Sequence, residues 1–103
     1  MIDIQPKDFE TVKTILKQYV PEYKVVVFGS RAKKTAKSRS DLDLCLIGEH
    51  PLSISHIAAL EDAFSSSDLD IKVDVVDWER IQTSFRNIIE KDSLVIQESE
   101  KTH

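Results

Sequence analysis

A chain of 103 residues has room for one compact hydrophobic core, because a domain of this size buries only about 60–70% of the surface of its unfolded chain. Its 41% hydrophobic and 31% charged residues are typical of a folded globular protein and exclude an intrinsically disordered chain. The net charge of −4 argues against general binding to nucleic acid, which normally requires a surplus of Lys and Arg.

The first residues carry no basic segment followed by an apolar run, and no stretch approaches the roughly 20 apolar residues that span a bilayer. These features predict a cytoplasmic protein without a membrane contact. The single cysteine, Cys45, has no partner within the chain for a disulfide. Because its neighbours Leu44 and Leu46 are apolar, we expect Cys45 to be a buried structural thiol.

The first two predicted elements are a helix and a strand. Apolar residues recur at helical spacing over residues 6–20, and Pro6 suits the first turn of a helix that ends before Pro21. Residues 25–28 form a short β-branched and aromatic run closed by Gly29. This run predicts a strand that is buried on both faces and followed by a tight turn.

A second strand is predicted over residues 41–46. Its leucines alternate with Asp41 and Asp43, so the leucines face one side of the sheet and the aspartates face the other. Ser53 predicts the cap of a helix over residues 54–65, where apolar residues again recur at helical spacing. The chain thus alternates strands with helices, as expected for helices packed on a sheet.

A third strand is predicted over residues 71–76, a last helix over residues 78–89 and a short final strand over residues 94–96. We see no internal repeat and no linker. We therefore expect one α+β domain over residues 1–97, a two-layer α/β arrangement in which helices pack on a small mixed β-sheet. Residues 98–103 are polar, and we expect a flexible tail. These patterns do not fix the order of the strands.

Asp41 and Asp43 carry the first chemical signal. Two carboxylates on one strand face are costly to bury unless a positive group neutralises them. Mg²⁺ is the natural partner, because it prefers oxygen ligands and binds one or two protein carboxylates together with phosphates and water. The alternative is that both aspartates lie at an exposed strand edge and are only solvated.

The segment before these aspartates has the features of a phosphate site. Gly29 permits a backbone conformation forbidden to other residues, and Ser30 can cap a helix that begins there. The N-terminus of such a helix favours anions. Residues 31–40 add five positive charges and no negative ones, which places an anion site beside a cation site. A solvated basic loop is the alternative.

Gly29 and Ser30, followed after ten residues by Asp41 and Asp43, resemble the signature of the DNA polymerase β-like nucleotidyltransferase superfamily. The wording FGSRAKKTAKSRSDLDLCLIG resembles its minimal nucleotidyltransferase (MNT) branch, which consists of little more than the catalytic core. Members of that branch are commonly encoded beside a small helical HEPN protein. The resemblance covers residues 24–96 and implies a polymerase β-like nucleotidyltransferase core.

In that superfamily a third carboxylate lies on a later strand beside the first pair. Asp70, Asp74 and Asp77 are the candidates. Asp74 is flanked by valines inside an apolar strand and matches the family pattern of an aspartate within such a strand, whereas the other two fall near the strand ends. We expect Asp74 to be the third carboxylate and Asp77 to cap the helix that follows.

The resemblance implies a two-metal reaction that uses two Mg²⁺ ions and ATP as the donor substrate. Asp41 and Asp43 would bridge the two ions. Asp74 would hold the ion that activates the attacking hydroxyl, or would accept its proton. All three aspartates are therefore expected to be catalytic residues and metal ligands.

The resemblance also implies how the nucleotide phosphates are bound. Gly29 and Ser30 would seat the β- and γ-phosphates, which makes pyrophosphate the leaving group. Arg31 is the first choice for a further phosphate contact and Lys33 the second, with solvated surface side chains as the alternative. The chain departs from the family at Lys34, where glycine is common, so the geometry of this loop does not follow from the resemblance.

The resemblance implies the antitoxin of a HEPN/MNT toxin–antitoxin pair, which transfers AMP from ATP to a hydroxyl of the HEPN toxin. The partner would be a HEPN-family helical protein bound in a hetero-oligomer. Two alternatives stay open. The chain would otherwise be the catalytic subunit of a split nucleotidyltransferase acting on a small molecule such as an aminoglycoside, or a non-catalytic antitoxin that acts by binding alone.

Overall fold

The structure, a computed structural model, describes residues 4–29 and 41–100. Within these residues three α-helices pack on one four-stranded sheet, which confirms the predicted α+β class. The elements in chain order are α1 (Pro6–Tyr19), β1 (Lys24–Phe28), β2 (Leu42–Ile47), α2 (Ile54–Ser65), β3 (Val73–Asp77), a short 3-10 helix (Trp78–Arg80), α3 (Thr83–Lys91) and β4 (Ser93–Gln97).

The sheet is mixed, as predicted, and its strand order is β3-β2-β1-β4. β1 runs antiparallel to both of its neighbours, while β2 and β3 are parallel and are joined by α2 as the crossover. The C-terminal end of β1 therefore lies beside the N-terminal end of β2, and β3 begins at this same end of the sheet. Because of this topology, the same end of the sheet holds Gly29, Asp43 and Asp74.

One face of the sheet is covered by α1 and α2. The leucines of β2 are fully buried against this layer, together with alternate residues of β1 and the apolar stripes of both helices. The main buried residues of this core are Val12, Leu16, Val25, Val27, Leu42, Leu44, Leu46, Leu60 and Phe64. Burial of these side chains supplies most of the hydrophobic stabilisation of the fold.

The opposite face is covered by α3. Ile89 of α3 packs there on Val26 of β1 and Cys45 of β2, so β1 is buried on both faces as predicted. Cys45 is 0% exposed, and its burial raises the pKa of the thiol to about 12, helped by the charge of Asp77 and opposed by Arg86. The prediction of a buried structural thiol is confirmed.

The boundaries of the first two helices follow the sequence signals. Pro6 opens α1, and the helix ends one residue before Val20, whose N–H donates to the Leu16 carbonyl at 2.8 Å. Ser53 caps α2, because its hydroxyl accepts the N–H of His56 at 3.1 Å. Among the residues that the structure describes, the helices lack the length and apolar character needed to cross a membrane.

The single helix predicted after β3 is wrong. Ile81 and Gln82 are extended, with φ of −100° and −76°, and they separate the 3-10 helix from α3. The side chain of Asp77 caps the 3-10 helix. The Trp78 carbonyl, which a continuous helix would pair with the backbone, instead accepts two hydrogen bonds from the Arg86 side chain at 2.9 and 2.7 Å.

The residues after β4 are held against the turn between α1 and β1. The Gln97 amide donates to two carbonyls of this turn at 2.9 Å, Ser99 donates to a third at 2.8 Å, and the Glu100 N–H donates to a fourth at 2.9 Å. Residues 101–103 lie outside the described residues. The flexible tail stays a prediction for those last residues.

Candidate active site

Asp43 and Asp74 lie side by side on neighbouring strands. They are register partners in the parallel pair of β2 and β3, and the N–H of Leu42 donates to the Lys72 carbonyl at 2.9 Å just before them. Because Leu42 faces the core under α1 and α2, Asp43 faces the opposite side, as the alternation predicts. The structure therefore brings together one carboxylate of each predicted strand.

Gly29 adopts a conformation that favours glycine and lies directly against Asp43. Its φ is 79°, in the left-handed region. The antiparallel register places Phe28 opposite Asp43, so the next residue reaches the carboxylate. A Cβ atom on Gly29 would lie 2.5 Å from Oδ2 of Asp43, which is closer than two such atoms approach. Gly29 thus brings backbone without a side chain up to Asp43.

The charges of the neighbouring aspartates act on Asp43. Burial raises the pKa of the Asp43 carboxyl above its ordinary value, and the negative charges of Asp74 and then Asp41 raise it further. Asp41 is only partly buried and precedes β2, but it is near enough to contribute to this shift. Three carboxylates therefore share one electrostatic environment that a cation would relieve.

An all-oxygen donor set of this kind fits Mg²⁺. Asp43 and Asp74 provide the one or two protein carboxylates that a Mg²⁺ site with substrate phosphates needs. Across residues 4–29 and 41–100, no three His, Cys, Asp or Glu side chains are close enough to hold a metal ion. The arrangement is a carboxylate pair with Asp41 nearby, and not a preformed three-ligand cage.

The other candidates for the third carboxylate lie elsewhere. Asp70 is exposed and precedes β3. Asp77 is only 4% exposed, and its two carboxylate oxygens accept the N–H groups of Leu52 at 2.8 Å and Glu79 at 3.0 Å. The predicted capping role of Asp77 is confirmed, and the carboxylate is committed to backbone donors.

An aromatic pair borders the aspartates. The rings of Phe28 and Phe85 meet edge to face, with centroids 5.6 Å apart and an interplanar angle of 82°. Phe28 is the register partner of Asp43 on the side away from Asp74. Phe28 therefore gives the Asp43 carboxylate an aromatic neighbour on β1.

Ser30, Arg31 and Lys33, the predicted phosphate contacts beyond Gly29, lie outside the described residues. The helix predicted to begin at Ser30 lies there as well. These contacts stay predictions.

Lys72 lies beside the aspartates although it was not among the residues predicted for the site. Its ammonium lies 3.6 Å from Oδ1 of Asp74, and its side chain is 72% exposed. The signal was present in the strand alternation, because residues two apart on a strand share a face. Lys72 therefore belongs to the same face as the aspartates.

This chain belongs to the polymerase beta nucleotidyltransferase family, whose model, described as "Polymerase beta, Nucleotidyltransferase", matches residues 10–102. The predicted superfamily and the predicted class of enzyme are confirmed. A similar protein from Haemophilus influenzae is named "Probable protein adenylyltransferase MntA". It is 50% identical over 101 residues, which span 98% of this chain and 89% of the relative.

Two solved structures share the fold. One is described as a toxin–antitoxin with AMP-PNP; it matches with a TM-score of 0.77 and 20% identity over 90% of this chain and 75% of that chain. Another contains a tri-AMPylated Shewanella oneidensis HEPN toxin in complex with an MNT antitoxin, with a TM-score of 0.72 and 18% identity over 94% of this chain and 75% of that chain. The predicted polymerase β-like core is confirmed.

Proposed function

We propose that this protein is a Mg²⁺-dependent protein adenylyltransferase that transfers AMP from ATP to a hydroxyl of a HEPN toxin and thereby acts as its antitoxin. The observation that carries the proposal is the pair of Asp43 and Asp74, held side by side against the backbone of Gly29. A surface that only bound a partner would have no need of carboxylates that repel one another.

The relatives support the donor and the acceptor. The Haemophilus influenzae protein that is half identical to this chain is named as an adenylyltransferase. The similar complexes contain a nucleotide analogue in one case and an AMPylated HEPN toxin in another. For this chain we therefore infer ATP as the donor and a helical HEPN protein as the partner in a hetero-oligomer.

The three aspartates would hold two Mg²⁺ ions. Asp41 and Asp43 would provide ligands from the start of β2, and Asp74 would provide one from the neighbouring strand. The bound ions would neutralise phosphate charge and lower the pKa of the acceptor hydroxyl. The raised pKa of Asp43 is consistent with this role, because the ionised form of the cluster needs positive charge beside it.

Gly29 would position the donor phosphates. Its backbone approaches Asp43 without a side chain between them, because a Cβ atom at this position would lie 2.5 Å from Oδ2 of Asp43. Ser30, Arg31 and Lys33 would complete the phosphate contacts. Together these residues would orient the α-phosphate towards an acceptor that enters from the solvent at this end of the sheet.

The transfer would form one bond and break one bond. The acceptor hydroxyl oxygen would bond to the α-phosphorus of ATP as the bond between this phosphorus and the β-phosphate oxygen breaks. Pyrophosphate would leave, and the hydroxyl proton would pass to Asp74 or to water. The product would be an AMP phosphodiester on the toxin.

Transfer of AMP can be measured on the toxin directly. The purified protein, ATP, Mg²⁺ and the cognate HEPN protein are expected to give a mass increase of one or more AMP units on the HEPN protein. Gly29→Ala should reduce the transfer rate at least about 100-fold, because a displaced Asp43 misplaces the reacting groups.

Gly48→Ala is the matched control. A Cβ atom there would lie 2.5 Å from the Tyr23 ring, at the opposite end of β2 from Asp43. This variant should lose stability and keep its transfer rate at temperatures where it is folded. An unmodified HEPN protein after incubation with the wild-type chain would refute the proposed function.

A further inference from the structure

Lys72 lies within the carboxylate cluster. Its Nζ is 3.6 Å from Oδ1 of Asp74, two residues along the same strand face. Its carbonyl accepts the N–H of Leu42, so Lys72 and Asp41 are neighbours at the starts of the two strands. The ammonium therefore contacts the carboxylate of Asp74, while the backbone of Lys72 lies beside the start of β2.

The stability of the fold does not account for this contact. The two side chains are 72% and 41% exposed, and exposed ion pairs contribute little to folding. Lys72 precedes β3 and contributes nothing to the core on either face of the sheet. The ammonium instead contacts Asp74, which lies on the same strand face two residues along and pairs in register with Asp43 of β2.

We propose that Lys72 is a positioning residue that holds the Asp74 carboxylate while no metal is bound and competes with a divalent cation for it. The inference rests on the proposed function, because it takes Asp74 as a metal ligand. A metal ion that binds Oδ1 of Asp74 must displace the ammonium from that oxygen. The contact therefore weakens binding of the metal alone, and it leaves a cation beside the site when the nucleotide phosphates arrive.

This role predicts a gain in metal affinity larger than the loss of one positive charge alone would give. Removing a positive charge ordinarily strengthens cation binding slightly at any distance, whereas removing a direct competitor strengthens it more and only through the shared ligand. Lys72→Gln should therefore tighten binding of Mn²⁺ in the absence of nucleotide by about two- to five-fold, the range expected for an exposed ion pair. Lys72→Arg should keep the affinity near that of the wild type.

Lys24→Gln is the matched control. Lys24 starts β1 and pairs in register with Ile47, at the opposite end of the sheet from Asp43. The substitution changes the net charge equally, so it should alter Mn²⁺ affinity by much less than Lys72→Gln. In an Asp74→Asn background, Lys72→Gln should have no larger effect than Lys24→Gln, because the shared ligand is absent.

The inference is tested by titrating the full chain with Mn²⁺ without ATP or acceptor. Calorimetry measures the affinity, and the melting temperature at each Mn²⁺ concentration is an independent readout. Tighter binding by Lys72→Gln alone, lost in the Asp74→Asn background, is the expected result. An affinity that is unchanged or weaker in Lys72→Gln, an equal gain in Lys24→Gln, or no Mn²⁺ binding by any variant overturns it. Because AMP transfer is assayed separately, the inference can fail while the proposed function holds.

Discussion

At the level of single residues, the charged carboxylate of Asp43 destabilises the fold. It is partly buried, a second aspartate is its direct partner on β3, and a third lies two residues before it in the chain. Like charges directly opposite each other on a sheet are destabilising. Active sites commonly keep such arrangements because catalysis requires them.

The raised pKa of Asp43 fixes how stability depends on pH. An acid with a raised pKa in the folded state binds more protons there than in the unfolded state, over the range between the two pKa values. The destabilisation is therefore fully present above the folded pKa and disappears as the pH falls through it. We expect Asp43→Asn to raise the melting temperature at pH 7.5 by about 2–8 °C.

The gain from Asp43→Asn should shrink as the pH is lowered towards the ordinary pKa of aspartate, about 4. Thermal unfolding at several pH values measures this. Asp70→Asn is the control, because Asp70 is exposed and precedes β3. A melting temperature at pH 7.5 that is unchanged or lower in Asp43→Asn would contradict this explanation.

Local patterns identified the aspartates but not their contacts. Strand alternation separated Asp43 from the leucines, and the valines around Asp74 distinguished it from Asp70 and Asp77. The pairing of Asp43 with Asp74 depends on the register of two strands that α2 separates, and spacing along the chain does not determine such a register. Lys72, by contrast, could have been placed on this face from strand alternation, because it lies two residues before Asp74.

At the level of elements, the segment after β3 shows where helical periodicity misleads. Apolar residues continue at helical spacing through the 3-10 helix and α3, yet two extended residues interrupt the backbone. The interruption is stabilised by side chains that take over backbone hydrogen bonds, namely Asp77 and Arg86. Periodicity indicates which faces of a segment are apolar. It does not indicate where side chains compete with the backbone for hydrogen bonds.

Asp77 should be the most sensitive position of this segment. Asp77→Ala would leave the buried N–H of Leu52 without its acceptor, and it would also remove the cap of the 3-10 helix and the ion pair to Arg80 at 3.4 Å. We expect the free energy of unfolding to fall by about 2–4 kcal/mol, as measured by urea denaturation.

Asp68→Ala is the comparison for Asp77→Ala, since Asp68 is exposed in the loop after α2 and should change stability by no more than about 0.5 kcal/mol. A loss below about 1 kcal/mol in Asp77→Ala would show that the 3-10 helix is held by other contacts.

At the level of the whole molecule, the class of fold followed from the alternation of strands and helices. The grouping of the site residues at one end of the sheet depends instead on the topology. Because β1 is antiparallel to β2, the end of one strand and the start of the next meet, and the parallel β3 begins beside them. The order β3-β2-β1-β4 therefore collects Gly29, Asp43 and Asp74 from distant parts of the chain. Element lengths and periodicities carry no information on that order.

The most direct test of whether the carboxylate pair acts by catalysis is neutralisation of the toxin in cells. The HEPN toxin is co-expressed with the wild-type chain, with an Asp43→Asn and Asp74→Asn double variant, or with Asp70→Asn, and growth and the intact mass of the toxin are measured. Wild type and Asp70→Asn should restore growth and leave AMP on the toxin. The double variant should co-purify with the toxin, but it should not restore growth and should leave no AMP on the toxin. Full protection by the double variant, with an unmodified toxin, would show that the protein neutralises its partner by binding alone.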